Sequence, residues 1–182
     1  TDYVFDGINH KPYVETDTPN PQSVYGKTKL DGELAMQHIN PPNSIIIRTS
    51  WVYSKFGNNF VKTMLRLAET KDEISIVADQ IGTPTNAADL ADFILNILPK
   101  ISNETLELFH YSNEGVCSWF DFAKAIFEIH GQAVKVNLIA SSQYPTPAKR
   151  PFYSVLNKKK LKNTYEIKIP FWRDSLIKSL TK

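Results

Sequence analysis

Tyr25 and Lys29 lie four residues apart in the stretch Ser23-Val24-Tyr25-Gly26-Lys27-Thr28-Lys29-Leu30. The segment from Pro21 to His38 reads as a helix, so the phenol and the ammonium should emerge on one face, one turn apart. Such a pair can move a proton. A phenol near the reference pKa of about 10 is a poor acid or base at neutral pH, and an adjacent ammonium favours its ionised form. Lysine would supply the field and tyrosine the proton. The spacing alone is weak evidence, because among eight tyrosines about one such match arises by chance, and most are solvated helix faces.

Context strengthens the pair. Thr1-Asp2-Tyr3-Val4-Phe5 reads as the end of a buried strand and Asp6 to Pro19 as a polar loop. Asn20 before Pro21 is a capping side chain ahead of a proline at a first helical position. The helix should run to about Asn40, closed by Pro41-Pro42. Its inner face is expected to carry Leu30, Leu34 and Ile39 against a sheet, leaving Tyr25 and Lys29 near the strand ends. In open α/β sheets, that is where ligands bind.

Five ordered motifs carry a family resemblance. They are Thr1-Asp2-Tyr3-Val4-Phe5-Asp6-Gly7; Tyr25-Gly26-Lys27-Thr28-Lys29-Leu30-x-Gly32-Glu33; Arg48-Thr49-Ser50-Trp51-Val52-Tyr53; Asp79-Gln80-x-Gly82-x-Pro84-Thr85 followed by Asp89-Leu90-Ala91; and Tyr144-Pro145-Thr146-Pro147-Ala148-Lys149-Arg150-Pro151 followed by Ser154-x-Leu156-Asn157. Together they resemble the dTDP-4-dehydrorhamnose reductases, extended short-chain dehydrogenases/reductases, from the first residue to the last. The resemblance implies an α/β fold: the C-terminal part of a Rossmann-like, doubly wound parallel sheet plus a small α/β substrate-binding domain. Residues 1–78 would hold the sheet part with the catalytic helix, and 79–182 mainly the substrate domain, interleaved with the sheet.

The chemistry implied is reduction of dTDP-4-dehydro-6-deoxy-L-mannose to dTDP-L-rhamnose, a step toward cell-surface polysaccharide, with hydride from NADPH or NADH. By the same resemblance Tyr25 is the proton donor, and Lys29 bonds the nicotinamide ribose, so both touch cofactor. Thr1 bonds the substrate carbonyl. Asp2 and Trp51 contact substrate. Lys149 and Arg150 form a candidate clamp for the diphosphate, since a guanidinium fork suits phosphate oxygens. Mg2+ enters by family likeness only, with no local cluster of ligands to define a site. A homodimer is likewise open by likeness, the sequence itself not fixing an oligomeric state. Another nucleotide-sugar epimerase or dehydratase, or a non-enzymatic regulatory relative, is the alternative; the first needs extra acid–base groups and the second would most simply have lost the Tyr/Lys pair.

Composition fits an ordinary globular chain. It has 182 residues, 42% hydrophobic and 22% charged, enough for one sizeable core. No glycine cluster of the dinucleotide-binding kind occurs among the seven glycines, although such glycines allow the backbone to approach a pyrophosphate. The chain is therefore expected to be an N-terminally truncated piece, lacking most of a cofactor site and inactive alone. A net charge of +2 is too mild to argue for nucleic acid, and none is expected as a partner. Lys158-Lys159-Lys160, the only basic run, reads as a solvated helix start. One cysteine, Cys117, excludes an internal disulfide and suits a reducing compartment, with cytoplasm as the default. No apolar run is long enough to span a bilayer. His10, His38, His110 and His130 are scattered, and none is read as catalytic.

Further along, Ser44 to Arg48, Ile74 to Val77, Leu106 to Tyr111 and Val134 to Ile139 read as strands. Helices are expected over Phe60 to Thr70, after Asn86, after Ser118 with Gly131 as the stop, and over Phe171 to Ile177. Trp51, at a strand exit, would offer an exposed indole face to a sugar or base. Trp119 and its neighbouring aromatics read as core. Tyr144 to Pro151 is too rich in proline for regular structure.

Overall fold

The structure, a computed structural model, describes residues 1–146 and 148–181; Pro147 of the proline-rich motif lies outside the described residues. In chain order the helices and strands are α1 (Val24–Ile39), β1 (Ile45–Arg48), β2 (Val52–Tyr53), α2 (Phe60–Ala68), β3 (Glu73–Val77), β4 (Ile81–Gly82), β5 (Thr85–Asn86), α3 (Ala87–Ile97), β6 (Glu107–His110), β7 (Cys117–Ser118), α4 (Trp119–His130), β8 (Lys135–Ile139), α5 (Lys159–Tyr165) and α6 (Trp172–Leu180). Three strand pairs are parallel: β1 with β6, β2 with β5, and β3 with β8. The short pair β4 with β7 is antiparallel. Parallel strands need a crossover, and each parallel pair here encloses at least one helix, so the α/β class expected from the sequence is the one observed.

Capping explains where the helices begin. Asn86 accepts from the Ala88 amide at the start of α3. At α4, Ser118 and Asp121 form a reciprocal capping box, and Gly131 closes the helix in the left-handed region at φ 72°. α4 then buries Phe122, Ala123, Ala125, Ile126 and Phe127 against α2, β3 and α6, the largest apolar cluster. A second cluster gathers Phe93 and Ile97 of α3, Phe109 of β6 and Leu161 of α5. A third ties Val4 and Phe5 to Tyr13 and Leu156, joining the first residues to a late segment.

Four expectations need correcting. Asp2–Val4 is a single 3-10 turn instead of a strand end, because the Thr1 hydroxyl accepts from the Tyr3 amide and curls the chain. The helix α1 starts after Ser23, whose hydroxyl accepts from the Gly26 amide; Asn20 instead donates its backbone N–H to the Val4 carbonyl in the loop. The buried stripe of α1 is also different. Gly26, Leu30 and Glu33 line it at i, i+4 and i+7, with Leu30 half-buried, whereas Leu34 and Ile39 are 51% and 73% exposed. Glu33 takes the place of a leucine because Arg48, at the end of β1, meets it inside: the carboxylate accepts from Nε and Nη2 at 3.0 and 2.6 Å.

Lys158 is the fourth. It is 7% exposed, paired with Glu114 at 3.3 Å and bonded to the Asn113 carbonyl, so a residue expected in solvent is an internal cation. Its neighbour Lys160 reaches the Leu108 carbonyl and Glu107.

Candidate active site

A cavity of about 630 Å³ opens where the N-terminal turn, the start of α1, the exit of β1, the start of α2 and the loop ending at Arg150 meet. Thr1, Asp2, Tyr25, Lys29, Trp51 and Arg150 all line it. The structure thus brings together six of the seven residues singled out from the sequence. Lys149 is exposed and is not part of this wall, so the expected two-cation clamp presents one cation here.

Tyr25 is the second residue of α1, and the Ser23 cap fixes where its turn begins. The ring is 52% exposed rather than turned into the core. Lys29 lies one turn on, with Nζ 5.7 Å from the centroid of the Tyr25 ring. It makes no ion pair among the described residues, so its charge is available to a ligand beside the phenol. Gly26, between them, is buried, and α1 descends onto the Tyr3 backbone at this point.

The N-terminal turn supplies the adjoining wall. Thr1 Oγ1 donates to Asp2 Oδ1 at 3.2 Å, and the Asp2 amide donates to the Thr49 carbonyl at 3.1 Å, fastening the turn to the exit of β1. Asp2 is 2% exposed and its Oδ2 has no hydrogen-bond partner. Burial pushes the Asp2 carboxyl up to about 6; the Ser154 hydroxyl beside it and Thr1 pull the other way. The Ser154 oxygen lies near without closing a hydrogen bond. Asp2 is therefore a carboxyl able to hold a proton close to neutral pH.

Opposite them, Trp51 takes the left-handed backbone region at φ 47°, a conformation uncommon for a bulky residue. Its indole stacks on Trp119 with centroids 3.6 Å apart and planes 9° from parallel. Trp51 is half-buried, one indole face covered by Trp119, where an exposed indole was expected. Gly82 packs so tightly beneath that a Cβ there would come within 2.6 Å of indole Cε2. Sequence reasoning missed Trp119, Phe60 and Tyr3 as cavity residues. The available signal for Trp119 was its place directly after the Ser118 cap, since a ring in the first turn reaches past the helix end.

A second cavity of about 590 Å³ adjoins the first. Phe60, Trp119 and Arg150 line both, and Met64, Ile74 and Ile76 give the second an apolar floor. Arg150 is, among the described residues, the one cation on the walls of both. Among the described residues no group of three or more His, Cys, Asp or Glu side chains could hold a metal ion. No helix among them is long and apolar enough to cross a membrane.

Comparison with known proteins gives this geometry a family. The model of the RmlD substrate binding domain matches residues 1–182. A dTDP-4-dehydrorhamnose reductase of Sinorhizobium fredii is 49% identical over 183 residues, which cover 96% of this chain and 62% of that protein. The crystal structure of a dTDP-4-dehydrorhamnose reductase from Clostridium acetobutylicum superposes with a TM-score of 0.92 at 45% identity, over 99% of this chain and 62% of that one. That of the Bacillus anthracis reductase, in complex with NADP, gives 0.93 at 39% identity, over 99% and 63%. The chain spans a little over three fifths of the length of these relatives.

Proposed function

The chain belongs to the RmlD substrate binding domain family, and from that premise we propose that it carries the proton-donor and substrate side of a reductase converting dTDP-4-dehydro-6-deoxy-L-mannose to dTDP-L-rhamnose. The observation that carries the reading is the placing of Tyr25, Lys29 and Thr1 on the walls of one cavity, with Trp51 and Arg150 also lining it. A nicotinamide cofactor, NADPH or NADH, supplies hydride when bound, and the exposed Tyr25 and Lys29 would hold its ribose end. The NADP in the Bacillus anthracis relative agrees with that fit.

The chain's own residues do the rest. As negative charge builds on the carbonyl oxygen, Tyr25 gives it a proton from within hydrogen-bond reach. The Lys29 ammonium stabilises the charge left on the phenol oxygen, and the Thr1 hydroxyl orients the carbonyl. Asp2 and Trp51 hold the sugar. Arg150, which lines both cavities, takes the diphosphate bidentately, with Lys149 next to it in the chain free to add a second charge from outside the walls. The second cavity, with an apolar floor and polar side chains such as Thr63, Ser75 and Asn137 around it, suits the nucleoside end, so a nucleotide-linked sugar matches the two cavities better than a free sugar. On this reading residues 1–78 are the sheet part with the catalytic helix and 79–182 mainly the substrate-binding domain, with both parts lining the two cavities.

A second reading, an epimerase or dehydratase acting on the same class of substrate, has one observation in its favour. Asp2 is an acid–base group in the same cavity beyond the Tyr/Lys pair. A panel of keto-sugar nucleotides with NADH and NADPH, assayed on the natural full-length chain, separates the two by product. Under the reductase reading Tyr25→Phe lowers kcat by about 10²–10⁴-fold with cofactor affinity retained. Near-normal turnover in that variant refutes the donor role.

A further inference from the structure

A phenol that is 52% exposed cannot be held by core packing, yet a proton donor must keep its oxygen in place to within a fraction of an ångström. Among the described residues two aromatic or cationic side chains touch the Tyr25 ring. One is Lys29, and the other is Tyr3, which meets it edge to face with centroids 5.7 Å apart and planes at 83°. That geometry sets the positive edge of one ring against the negative face of the other. Tyr3 is itself half-buried and lines the same cavity. Burial, then the neighbouring Asp2, pushes its phenol above the usual tyrosine range, so the ring remains neutral.

The backbone of Tyr3 makes a second contact with the same helix turn. Its carbonyl oxygen stands 2.2 Å from where a Cβ on Gly26 would be, a contact no side-chain carbon tolerates. Gly26 therefore lets α1 settle onto the turn at a height that any larger residue would raise. By contrast Gly32, on the same helix, has open space around its would-be Cβ.

We propose that Tyr3 is a positioning residue for the reaction: its ring, packed perpendicular to that of Tyr25, braces the phenol, and its carbonyl, admitted by Gly26, sets the depth at which α1 presents that phenol to the cavity. The kinetic half of this proposal rests on the reductase reading; the structural half does not. Its test uses the natural full-length chain and the variants Tyr3→Leu, Tyr3→Phe, Gly26→Ala and Gly32→Ala. Tyr3→Leu and Gly26→Ala lower kcat by about tenfold or more while KM for the keto-sugar nucleotide changes by less than about twofold. Tyr3→Phe, which keeps the ring, restores most of what Tyr3→Leu loses, and Gly32→Ala turns over as the parent does.

Ring 13C–1H spectra of labelled tyrosine supply a readout that needs no turnover. The Tyr25 signal moves toward its free-tyrosine position in Tyr3→Leu and stays in Tyr3→Phe. A Tyr25 signal indifferent to Tyr3→Leu overturns the brace, as does a Tyr3→Phe variant no faster than Tyr3→Leu. Should the parent chain reduce no keto-sugar nucleotide, the reductase reading fails, and the spectra still decide the brace.

Discussion

The helices α1, of 16 residues, and α4, of 12, are held by different forces. α4 buries five apolar side chains, with a capping box at one end and a left-handed glycine at the other. α1 buries only Gly26 and Glu33, and is held by a backbone contact, a half-buried leucine and an ion pair to Arg48. Apolar burial tolerates small shifts of the partner surface, whereas close backbone approach and a two-pronged ion pair fix one position. The helix that carries the candidate chemistry is the one placed by directional contacts.

The sharpest way to break this contrast is at the two anchors. Phe122→Ala in α4 should cost about 3–5 kcal/mol as a buried ring gives way to a cavity. Glu33→Gln in α1 should cost a comparable amount, about 3–5 kcal/mol, because it leaves the Arg48 charge buried and uncompensated. Replacing both Glu33 and Arg48 by methionine should recover most of that loss, while no second change within α4 would rescue Phe122→Ala so simply. Urea unfolding followed by circular dichroism measures all of these, and an undiminished midpoint in Glu33→Gln would show that the pair does not anchor α1.

Acid should separate the regions next. His110, fully buried at the end of β6 beneath Phe5, is pushed down to about 3 by burial and then by Arg48. It is neutral in the fold, so between about 6.5 and 3 the unfolded chain takes up a proton that the folded chain refuses. Stability therefore falls as pH drops through that window. Asp2 acts in the opposite sense: with its carboxyl raised from 3.8 to about 6, the fold keeps the proton longer, and that contribution is lost as pH rises through 6. Unfolding midpoints from pH 3 to 8 should show a shallower acid loss in His110→Gln and a steeper one in Asp2→Asn. The smallest expected effect is at the caps. Ser118→Ala and Ser23→Ala should each cost about 1 kcal/mol, with only Ser23→Ala also lowering turnover because it loosens the turn that carries Tyr25.

What could be read from the sequence follows the same division. Asn86, Ser118 and Gly131 are local signals, and the helices they bound are where the sequence puts them. The strands β1, β3, β6 and β8 were legible as short apolar runs, and the cavity's Tyr25, Lys29, Trp51 and Arg150 through the ordered motifs. The inward face of α1 was not, since it is decided by Arg48 and by the Tyr3 carbonyl, both outside the helix. Burial of Lys158 depends on Glu114, far away in the chain. Trp119 joins the cavity only because Trp51 folds back over it. These misses turn on contacts between distant residues, whereas the Thr1 turn and the Ser23 cap are local signals that compete with the strand and the Asn20 cap expected in their place.

The parallel ladders have a kinetic consequence. Ile45 pairs with Glu107 and Glu73 with Lys135, so neither of the longer ladders can zip outward from a hairpin. Long loops must close before any ladder bond forms, which places refolding among the slower regimes for a domain of this size. Prolonged exposure of unpaired strands on the way to the native state would make dilution and low temperature the conditions of choice for recovering it from denaturant.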